Sequence, residues 1–281
     1  MDPIKLDFTI AVRNSESTIG RCISSIINSV PDENIHHIIV VDNGSTDKTI
    51  SIIKQFAEKN KKIRLLFESG RLGKVRLVQA EMCDTEYVAY IDSDVYLNKL
   101  WLPEMSKNMN ERSGFVVARL GMAYSEPYRS FLTWSLSKFG CVAIGCTIVK
   151  RQLVLDKAEE LGKLHAALED VVIYNHAKKL GYECVYVDDN LLGDHEGDSD
   201  GILEIKHKRA GNSFRIAKGF FAALLNSFKL FVTNPTKVVL YSTENRVSLH
   251  DFLHLLKIQL ILAFRFLDGV VSKNTISEIK K

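Results

Sequence analysis

The feature that most constrains the fold is an alternation of short apolar runs with segments of helical periodicity in the first hundred residues. The four apolar runs span residues 6–12, 38–42, 63–67 and 87–97. Between the first two, Ile19, Cys22 and Ile26 recur at helical spacing. Almost wholly apolar strands are typical of parallel sheets covered on both faces. The pattern therefore predicts an α/β fold with a mainly parallel, Rossmann-like sheet, flanking helices and right-handed crossovers.

The fourth run, Tyr87–Leu97, carries two carboxylates one residue apart, Asp92 and Asp94. Acids do not belong inside a strand that is buried on both faces, and open α/β sheets bind their ligands just past the carboxyl ends of strands. An Asp-x-Asp pair supplies hard oxygen ligands that can share a divalent cation, which commonly also holds substrate phosphates. The alternative interpretation is a solvated turn after the strand.

Other strand ends carry polar or glycine-rich loops. Asp42 ends the second run, and a turn that begins at Asn43 follows it. After the third run, Gly70 and Gly73 allow a close backbone approach, and they bracket a helix start. The basic residues of this loop are Arg71, Lys74 and Arg76. Their position suits a diphosphate, although solvated charge at a helix end explains each of them equally well.

The rest of the chain predicts a mixed pattern followed by a second region. Further strands are expected at 114–119, 142–149 and 182–187, with helices at 130–139 and 168–180. A polar loop at 194–200 suggests a boundary, with a catalytic domain over 1–200 and a basic helical region over 201–281. The five cysteines are odd in number and form no C-x-x-C pair, which favours buried thiols in a reducing cytosol. The amino terminus has no secretory apolar region, and no run of 18 apolar residues exists.

Taken in order, the motifs resemble family 2 glycosyltransferases with the GT-A fold over roughly residues 6–200. They are Thr9–Asn14, Val41–Asp47, Gly70–Ala80, Tyr90–Asp94 and the pair Glu169 and Asp170 before Gly181. The resemblance implies transfer of a sugar from a nucleotide-diphosphate donor to an acceptor hydroxyl, usually with inversion and with Mn²⁺ or Mg²⁺.

The resemblance also implies residue roles. Asp170 would be the catalytic base, with Glu169 as the other candidate. Asp92 and Asp94 would bind the metal, and His195 follows the last predicted strand, where some members of the fold complete the metal site. The expected donor-binding residues are Ala11, Arg13, Asn14, Asp42, Asn43, Gly70, Gly73, Lys74, Arg76, Asp92, Ser93 and Glu169. At three of these positions, Ala11, Arg13 and Asn43, the chain departs from the common family pattern, which leaves the base of the donor open.

The carboxyl-terminal region differs from the rest in charge. Residues 201–281 contain 13 Lys and Arg against 5 Asp and Glu, whereas residues 1–200 contain 24 against 29. Apolar residues recur at helical spacing from Ser213 to Val232, and a second helix with a wide apolar arc is expected over Leu249–Leu267. Such helices with basic borders suit an anionic membrane surface. The alternative is that they pack on the catalytic domain or on a second subunit in a homodimer.

These observations predict a peripheral enzyme at the cytosolic face of the membrane with a lipid-linked acceptor and no nucleic-acid partner. The family resemblance implies GDP-mannose as the favoured donor, because Asn43 departs from the family's pattern for uridine binding and membrane-associated members often transfer mannose. The alternatives are a soluble transferase that acts on a polysaccharide or protein, and a non-catalytic nucleotide-binding module. A nucleotidyltransferase would require a Gly-rich, Lys-containing loop after the first strand, and Arg13–Ser17 lacks it.

Overall fold

The structure, a computed structural model, forms two compact units that are each discontinuous in sequence. It describes residues 4–122, 124–139, 145–163, 169–187, 189–196, 208, 210 and 220–271. The first unit contains Met1–Met122, Gly140–Lys163 and Glu169–Gly197, and the second contains Ala123–Phe139, Leu164–Leu168 and Asp198–Lys281. The boundary predicted after residue 200 falls outside the described residues, and it stays a prediction.

The first unit alternates strands and helices as the apolar pattern predicts. The strands of the chain are β1 (Leu6–Val12), β2 (Ile35–Asp42), β3 (Ile63–Phe67), β4 (Tyr87–Asp92), β5 (Val95–Leu97), β6 (Ser113–Ala118), β7 (Gly121–Met122), β8 (Cys146–Lys150), β9 (Glu183–Val187) and β10 (Gly193–His195). The helices are α1 (Ile19–Ser29), α2 (Thr49–Lys59), α3 (Leu72–Glu81), α4 (Trp101–Lys107), α5 (Tyr128–Phe139), α6 (Arg151–Leu155), α7 (Ala158–Lys163), α8 (Glu169–Lys179), α9 (Phe220–Asn245) and α10 (Leu249–Val271). A 3-10 helix spans Asp32–Asn34.

Seven strands form the main sheet in the order β3-β2-β1-β4-β8-β6-β9. β1, β2, β3 and β4 are parallel, β8 runs antiparallel to both of its neighbours, and β9 is parallel to β6. The central strands are covered on both faces: Ile38, Ile39, Val40 and Val41 of β2 are all inaccessible to solvent. The edge strands β3 and β9 are more exposed. The predicted mainly parallel α/β architecture is therefore confirmed.

Helix α1 shows why the predicted helices form. Its buried residues Ile19, Cys22, Ile23 and Ile26 follow the 3.6-residue period and lie in the main core. The thiols of Cys22, Cys83 and Cys146 are buried, and Cys184 is partly buried; Cys141 lies outside the described residues.

The strand predicted in Tyr87–Leu97 ends at its two carboxylates, as expected, and the last three residues of the run form a separate strand that the pattern did not indicate. β4 ends at Asp92, a turn takes up Ser93 and Asp94, and β5 begins at Val95. β5 belongs to a second, three-stranded sheet in the order β5-β10-β7. The chain leaves the main sheet at the two carboxylates, because β5 pairs with β10 and places His195 opposite Val95.

The second unit contains α5 and the two long helices α9 and α10. α9 and α10 pack against each other, with the rings of Phe231 and Phe264 4.8 Å apart. α5 packs on α9 through Phe131, Trp134 and Tyr241, and Trp134 Nε1 donates to Glu244 at 2.9 Å. α9 continues through Pro235 to Asn245, well past the predicted end at Val232; the predicted helix start at Ser213 lies outside the described residues.

Within the residues that the structure describes, none of the helices combines the length and the apolar character needed to cross a bilayer.

Candidate active site

Three of the predicted site residues, Ala11, Asp42 and Asp92, lie at the carboxyl ends of the adjacent strands β1, β2 and β4. The strand register places Ala11 of β1 between Val41 of β2 and Asp92 of β4, and it places Val12 opposite Asp42. Because these strands are parallel, the loops after them leave the sheet at one edge. This is the edge at which open α/β sheets bind nucleotides.

Asp42 is buried at the end of β2, with one carboxylate oxygen bonded and the other without a partner. Its Oδ2 accepts hydrogen bonds from the backbone N–H groups of Gly44 and Ser45, both at 3.0 Å. Gly44 has φ of +78°, a conformation that favours glycine, so the turn folds back over the carboxylate. Oδ1 is buried and has no hydrogen-bond partner. A buried carboxylate oxygen without a donor is costly, which suggests that a ligand group donates to it.

The loop after β1 is fixed to the loop after β2 and to the turn after β4. Asn14, with φ of +50°, accepts through Oδ1 from Thr46 N at 2.8 Å, and its own N–H donates to Ser45 Oγ at 3.0 Å. Ser15 Oγ lies 3.0 Å from Ser93 Oγ. Arg13, which precedes Asn14, is exposed to solvent. The predicted donor-binding residues of this loop therefore lie around one edge of the site.

Asn43 connects the end of β2 to the glycine-bracketed loop. Its Nδ2 donates to Gly70 O at 3.2 Å, and its Oδ1 accepts from Gly70 N at 2.9 Å. The side-chain amide of Asn43 therefore bonds both the backbone carbonyl and the backbone N–H of Gly70. Beyond the loop, Gly73 is buried in the first turn of α3, and Lys74 Nζ forms an ion pair with Glu68 at 2.8 Å. Asn43 thus positions the loop that was predicted to hold a diphosphate.

Arg76 lies in the interior and contacts the first carboxylate of the Asp-x-Asp pair. Its Nη2 donates to Asp92 Oδ1 at 2.9 Å, and the guanidinium is almost fully buried. Burial alone would lower the pKa of Arg76, but the negative charges of Asp92 and Glu169 outweigh it, and the pKa is raised. In the described structure, Arg76 therefore acts as the counter-ion of Asp92.

Gly145 is a site residue that the sequence motifs did not indicate. Its carbonyl accepts from the backbone N–H of Asp92 at 2.7 Å. A Cβ on Gly145 would overlap Asp92 Oδ2 and lie 2.7 Å from Asp92 Cγ. The backbone of residue 145 therefore forms a wall against the carboxylate of Asp92, and only glycine leaves room for it.

Asp94, the second carboxylate of the Asp-x-Asp pair, lies next to His195. Asp94 Oδ1 lies 3.3 Å from His195 Nε2, and both side chains are largely shielded from solvent. The pairing of β10 with β5 produces this contact, since it brings Glu196 N within 3.0 Å of Asp94 O. Asp94 and His195 are therefore together, whereas the carboxylate of Asp92 is bonded to Arg76.

Glu169 and Asp170 begin α8 and complete the acidic site. Glu169 is buried and Asp170 is partly buried. Burial and the charges of Glu169 and Asp92 raise the pKa of Asp170 to about 7, although Val171 N–H and Arg76 oppose the shift. Asp170 thus lies close enough to Arg76 and Asp92 to respond to their charges. A carboxyl group that titrates near neutrality is suited to proton transfer.

Residues 7–151 match the family model described as glycosyl transferase family 2. The matched segment is just over half of the 281 residues, and it contains Asp42, Arg76, Asp92 and Asp94. The chain belongs to glycosyltransferase family 2. The resemblance seen in the sequence is thereby confirmed, and so is the GT-A fold.

Three similar proteins differ in the sugar that their names or bound ligands specify. A poly(ribitol-phosphate) beta-glucosyltransferase from Bacillus spizizenii is 31% identical over 97 residues, which cover 34% of this chain and 15% of that enzyme. A mannosyltransferase from Pyrobaculum calidifontis, solved with GDP-Man and Mn²⁺, is 15% identical with a TM-score of 0.67, covering 96% of this chain and 88% of that one. TarS 1-349 from Staphylococcus aureus, solved with UDP-GlcNAc, is 16% identical with a TM-score of 0.54, covering 99% and 91%.

The matches to curated relatives are partial. The chain covers between 15% and 36% of the length of the first three relatives. At 15% and 16% identity, the two solved structures establish the shared fold, and the bound nucleotide sugars are properties of those proteins.

Proposed function

We propose that this family 2 member is a metal-dependent, inverting glycosyltransferase. It moves a sugar from a nucleotide-diphosphate donor, with GDP-mannose favoured, to a hydroxyl or phosphate of a lipid-linked acceptor. It works in the cytoplasm, bound peripherally to the cytosolic face of the membrane. Asp42 and the surrounding loops hold the donor, Asp92, Asp94 and His195 hold Mn²⁺ or Mg²⁺, and Asp170 is the base.

The contact between Asp94 and His195 carries the proposal. Two ligand atoms that share one divalent cation lie roughly 3 Å apart, and Asp94 Oδ1 is 3.3 Å from His195 Nε2. Asp94 follows the end of β4 by two residues, and β4 is separated by β1 alone from β2, which ends at the buried Asp42. An imidazole ligand favours Mn²⁺ over Mg²⁺. The donor set therefore fits a divalent cation at the edge where the nucleotide is expected.

The residues of the chain then divide the reaction between them. When bound, the cation supplies Lewis-acid stabilisation of the charge that develops on the departing nucleotide diphosphate. Asp42 Oδ1 accepts a hydrogen bond from the nucleoside. Asp170, as carboxylate, takes the proton of the acceptor hydroxyl while the acceptor oxygen bonds to sugar C1 and the bond from C1 to the diphosphate breaks. Attack from the face opposite the leaving group inverts the configuration at C1.

The catalytic assignment is tested by replacing Asp94 and Asp170 separately. Asp170→Asn keeps the side-chain shape but removes the base, so we expect sugar transfer to fall about 10²–10⁴-fold. Asp94→Ala should lose sugar transfer, and added Mn²⁺ should not restore it. Asp32→Asn changes an exposed carboxylate that pairs with Lys62, and it serves as the control. Full transfer by either site variant would show that the assignment is wrong.

The donor is tested by a thermal-shift panel of UDP, GDP and dTDP, each with and without Mn²⁺. A nucleotide that binds only the folded chain raises Tm, and at equal concentration the nucleotide with the lowest Kd raises it most. We expect the largest increase with GDP and Mn²⁺, since Asn43 departs from the usual pattern of adjacent acids, and we expect Asp42→Ala to abolish it. A larger increase with UDP would overturn the GDP-mannose assignment while leaving the transferase assignment intact.

Exposed apolar and basic residues on the long helices support the membrane proposal. On α9, Leu225, Phe228 and Val232 are each more than half exposed, and Lys229 is exposed between them. On α10, the exposed apolar residues are Leu249, Leu253, Phe264 and Val271, and the exposed basic residues are Lys257 and Arg265. Apolar side chains bordered by cations suit the membrane interface, where acyl chains lie beneath anionic headgroups.

Flotation with vesicles distinguishes membrane binding from a soluble enzyme. We expect the chain to float with vesicles that contain phosphatidylserine and to float less with pure phosphatidylcholine. The double variant Leu225→Glu/Phe228→Glu should stay at the bottom of the gradient. Phe67→Glu is the matched control, because Phe67 is 63% exposed in the first unit. A wild-type chain that does not float would favour a soluble transferase.

A further inference from the structure

A second cluster of metal-ligating side chains lies at the opposite end of the strands that form the candidate active site. It contains Asp7 near the start of β1 and His36 and His37 near the start of β2. Among the described residues, these three were found to bring their ligand atoms within 4.8 Å of one another. Ala11, which pairs with Asp92, follows Asp7 by four positions along β1. This corresponds to about 13 Å. The cluster is therefore distinct from the active-site edge.

An irregularity in the sheet brings the two histidines together. Consecutive residues of a strand normally point to opposite faces. Here the register shifts, so that Leu6 pairs with Ile35 but Phe8 pairs with Ile38, and Asp7 alone lies opposite both His36 and His37. Bulges of this kind re-aim side chains, and they are uncommon between parallel strands. Both imidazoles thereby face one carboxylate: Asp7 Oδ1 is 3.0 Å from His36 Nδ1 and 3.1 Å from His37 Nδ1.

The carboxylate of Asp7 is held in place by the segment before β4. Its Oδ2 accepts from Asp84 N at 2.7 Å, from Thr85 N at 2.9 Å and from Thr85 Oγ1 at 3.1 Å. Oδ1 is left to face the imidazoles. Outer hydrogen bonds of this kind orient a ligating carboxylate. The exposed carboxylate of Asp84 lies 3.9 Å from His37 Nδ1 and is within reach as a fourth ligand.

We propose that Asp7, His36 and His37, together with Asp84, form a second metal site that binds a late first-row transition ion such as Zn²⁺. Ligand atoms about 2 Å from a tetrahedral ion are roughly 3.3 Å apart, close to the two distances from Asp7 Oδ1. Two imidazoles and two carboxylates suit Zn²⁺ and disfavour Mg²⁺, which takes oxygen ligands and water. The ion would tie β1, β2 and the segment before β4 together at their amino ends.

Arg64 supplies a further test, because it competes with the ion for His37. Arg64 Nη2 lies 2.7 Å from His37 Nε2. A guanidinium can only donate, so in this structure Nε2 accepts and Nδ1 carries the proton that faces Asp7. Metal binding at Nδ1 moves or releases that proton, and a neutral His37 then carries N–H at Nε2, facing the guanidinium donor. Arg64 is exposed and free to turn outward. Arg64→Ala should therefore bind Zn²⁺ more tightly than the wild type.

The experiment uses the full chain in an Asp94→Ala background, so that the active-site ligands do not contribute. After dialysis against a chelator, Zn²⁺ is titrated by calorimetry, and Co²⁺ is added separately to read its visible d–d spectrum. We expect one Zn²⁺ per chain, a rise in Tm, and the intense bands of four-coordinate Co²⁺. His36→Gln and His37→Gln should each weaken Zn²⁺ binding by more than about 10-fold. Their metal-free melting curves show whether the variants fold.

The exposed helix α10 provides the control for adventitious binding. His250 and His254 are exposed and four residues apart, a spacing that can itself chelate a metal ion. His250→Gln/His254→Gln should leave the Zn²⁺ affinity unchanged if the ion binds at Asp7. Loss of binding in this variant, with full binding in folded His36→Gln and His37→Gln, would overturn the proposal. Absence of any Zn²⁺-dependent rise in Tm would do the same.

Discussion

Asp170 is the residue at which stability and chemistry are most directly opposed. Its pKa is raised from 3.8 to about 7, first by burial and then by the neighbouring charge of Glu169. Because the folded chain holds the proton more tightly than the unfolded chain, ionisation of Asp170 destabilises the fold as the pH rises from about 4 to about 7. Ionisation of the base proposed for the reaction therefore lowers the free energy of unfolding.

The first prediction follows from this destabilisation of the folded chain by ionised Asp170. In the presence of chelator, Asp170→Asn should melt at a higher temperature than the wild type at about pH 8, and the difference should disappear near pH 4. Differential scanning calorimetry across this range measures it. A gain in Tm that does not depend on pH would contradict the raised pKa. A cation on Asp92 and Asp94 adds positive charge nearby and should lower the pKa of Asp170, so transfer activity should reach half its maximum below pH 7.

The second prediction concerns Gly145, where a single methyl group displaces a site carboxylate. Gly145→Ala should push Asp92 away from its position and lower sugar transfer by more than about 10-fold, since a displacement of about 1 Å in a site has effects of that order. The control is Gly162→Ala in α7, where an added Cβ meets nothing within 4 Å. It should leave activity unchanged and stabilise the helix by up to about 1 kcal/mol. Steady-state rates and urea unfolding of the two variants separate the outcomes.

At the scale of secondary-structure elements, the loops after the strands are held by side chains of neighbouring loops. Asn43 after β2 fixes Gly70 before α3, and Asn14 after β1 fixes Thr46 before α2. The strands that precede these loops, β1 and β2, are largely buried, so the shape of the candidate donor-binding edge depends on these few hydrogen bonds.

The third prediction tests the Asn43 clamp. Asn43→Asp restores the adjacent acids common in the family, but it removes the donor to Gly70 O and places two oxygen atoms against each other. We expect the donor KM to rise about 10-fold, as one hydrogen bond to a charged or polar partner is lost, with a smaller change in kcat. Asn60→Asp is the control, because Asn60 Oδ1 accepts from Lys62 N, a bond that Asp retains. Equal kinetics in the two variants would show that Asn43 does not position the donor loop.

At the scale of the whole molecule, charge is divided unevenly along the chain. Residues 1–200 carry an excess of acidic side chains, and residues 201–281 carry 13 basic against 5 acidic ones. Acidic groups in the first unit surround the proposed metal and base, while exposed cations in the second unit lie among exposed apolar side chains. The proposed metal site and the proposed anionic membrane surface thus involve parts of the sequence with opposite net charge.

The fourth prediction is that vesicle binding has two parts with different salt dependence. The Debye length falls from about 10 Å at 0.1 M salt to about 3 Å at 1 M, so flotation with anionic vesicles should decrease over this range. A remainder should persist, because insertion of Phe228 and its apolar neighbours does not depend on charge. Lys229→Ala/Lys257→Ala should reduce only the salt-sensitive part. Flotation that is indifferent to salt would show that the cations do not contribute.

Much of the fold could be predicted because apolar periodicity is a local property. The first four strands and the helices between them follow from runs such as Ile38–Val41 and from the helical spacing of Ile19, Cys22 and Ile26, which burial then enforces. The candidate acids could also be predicted, since Asp42, Asp92 and Asp94 stand at the ends of those runs. Local pattern placed the end of the fourth strand at its carboxylates, but it did not indicate β5 as a separate strand, because β5 depends on its pairing with β10.

The amino-acid sequence by itself determined the family, the parallel sheet and the residue types at its edge. Only the tertiary structure decided which of those residues meet. Arg76, predicted from its charge to bind phosphate, lies against Asp92; Gly145, in no motif, fits only as glycine. Asp7, His36 and His37 converge because one residue of β1 lies opposite two of β2. The physical reason is that charge and hydrophobicity belong to each residue, whereas distance and burial are set by residues remote in sequence.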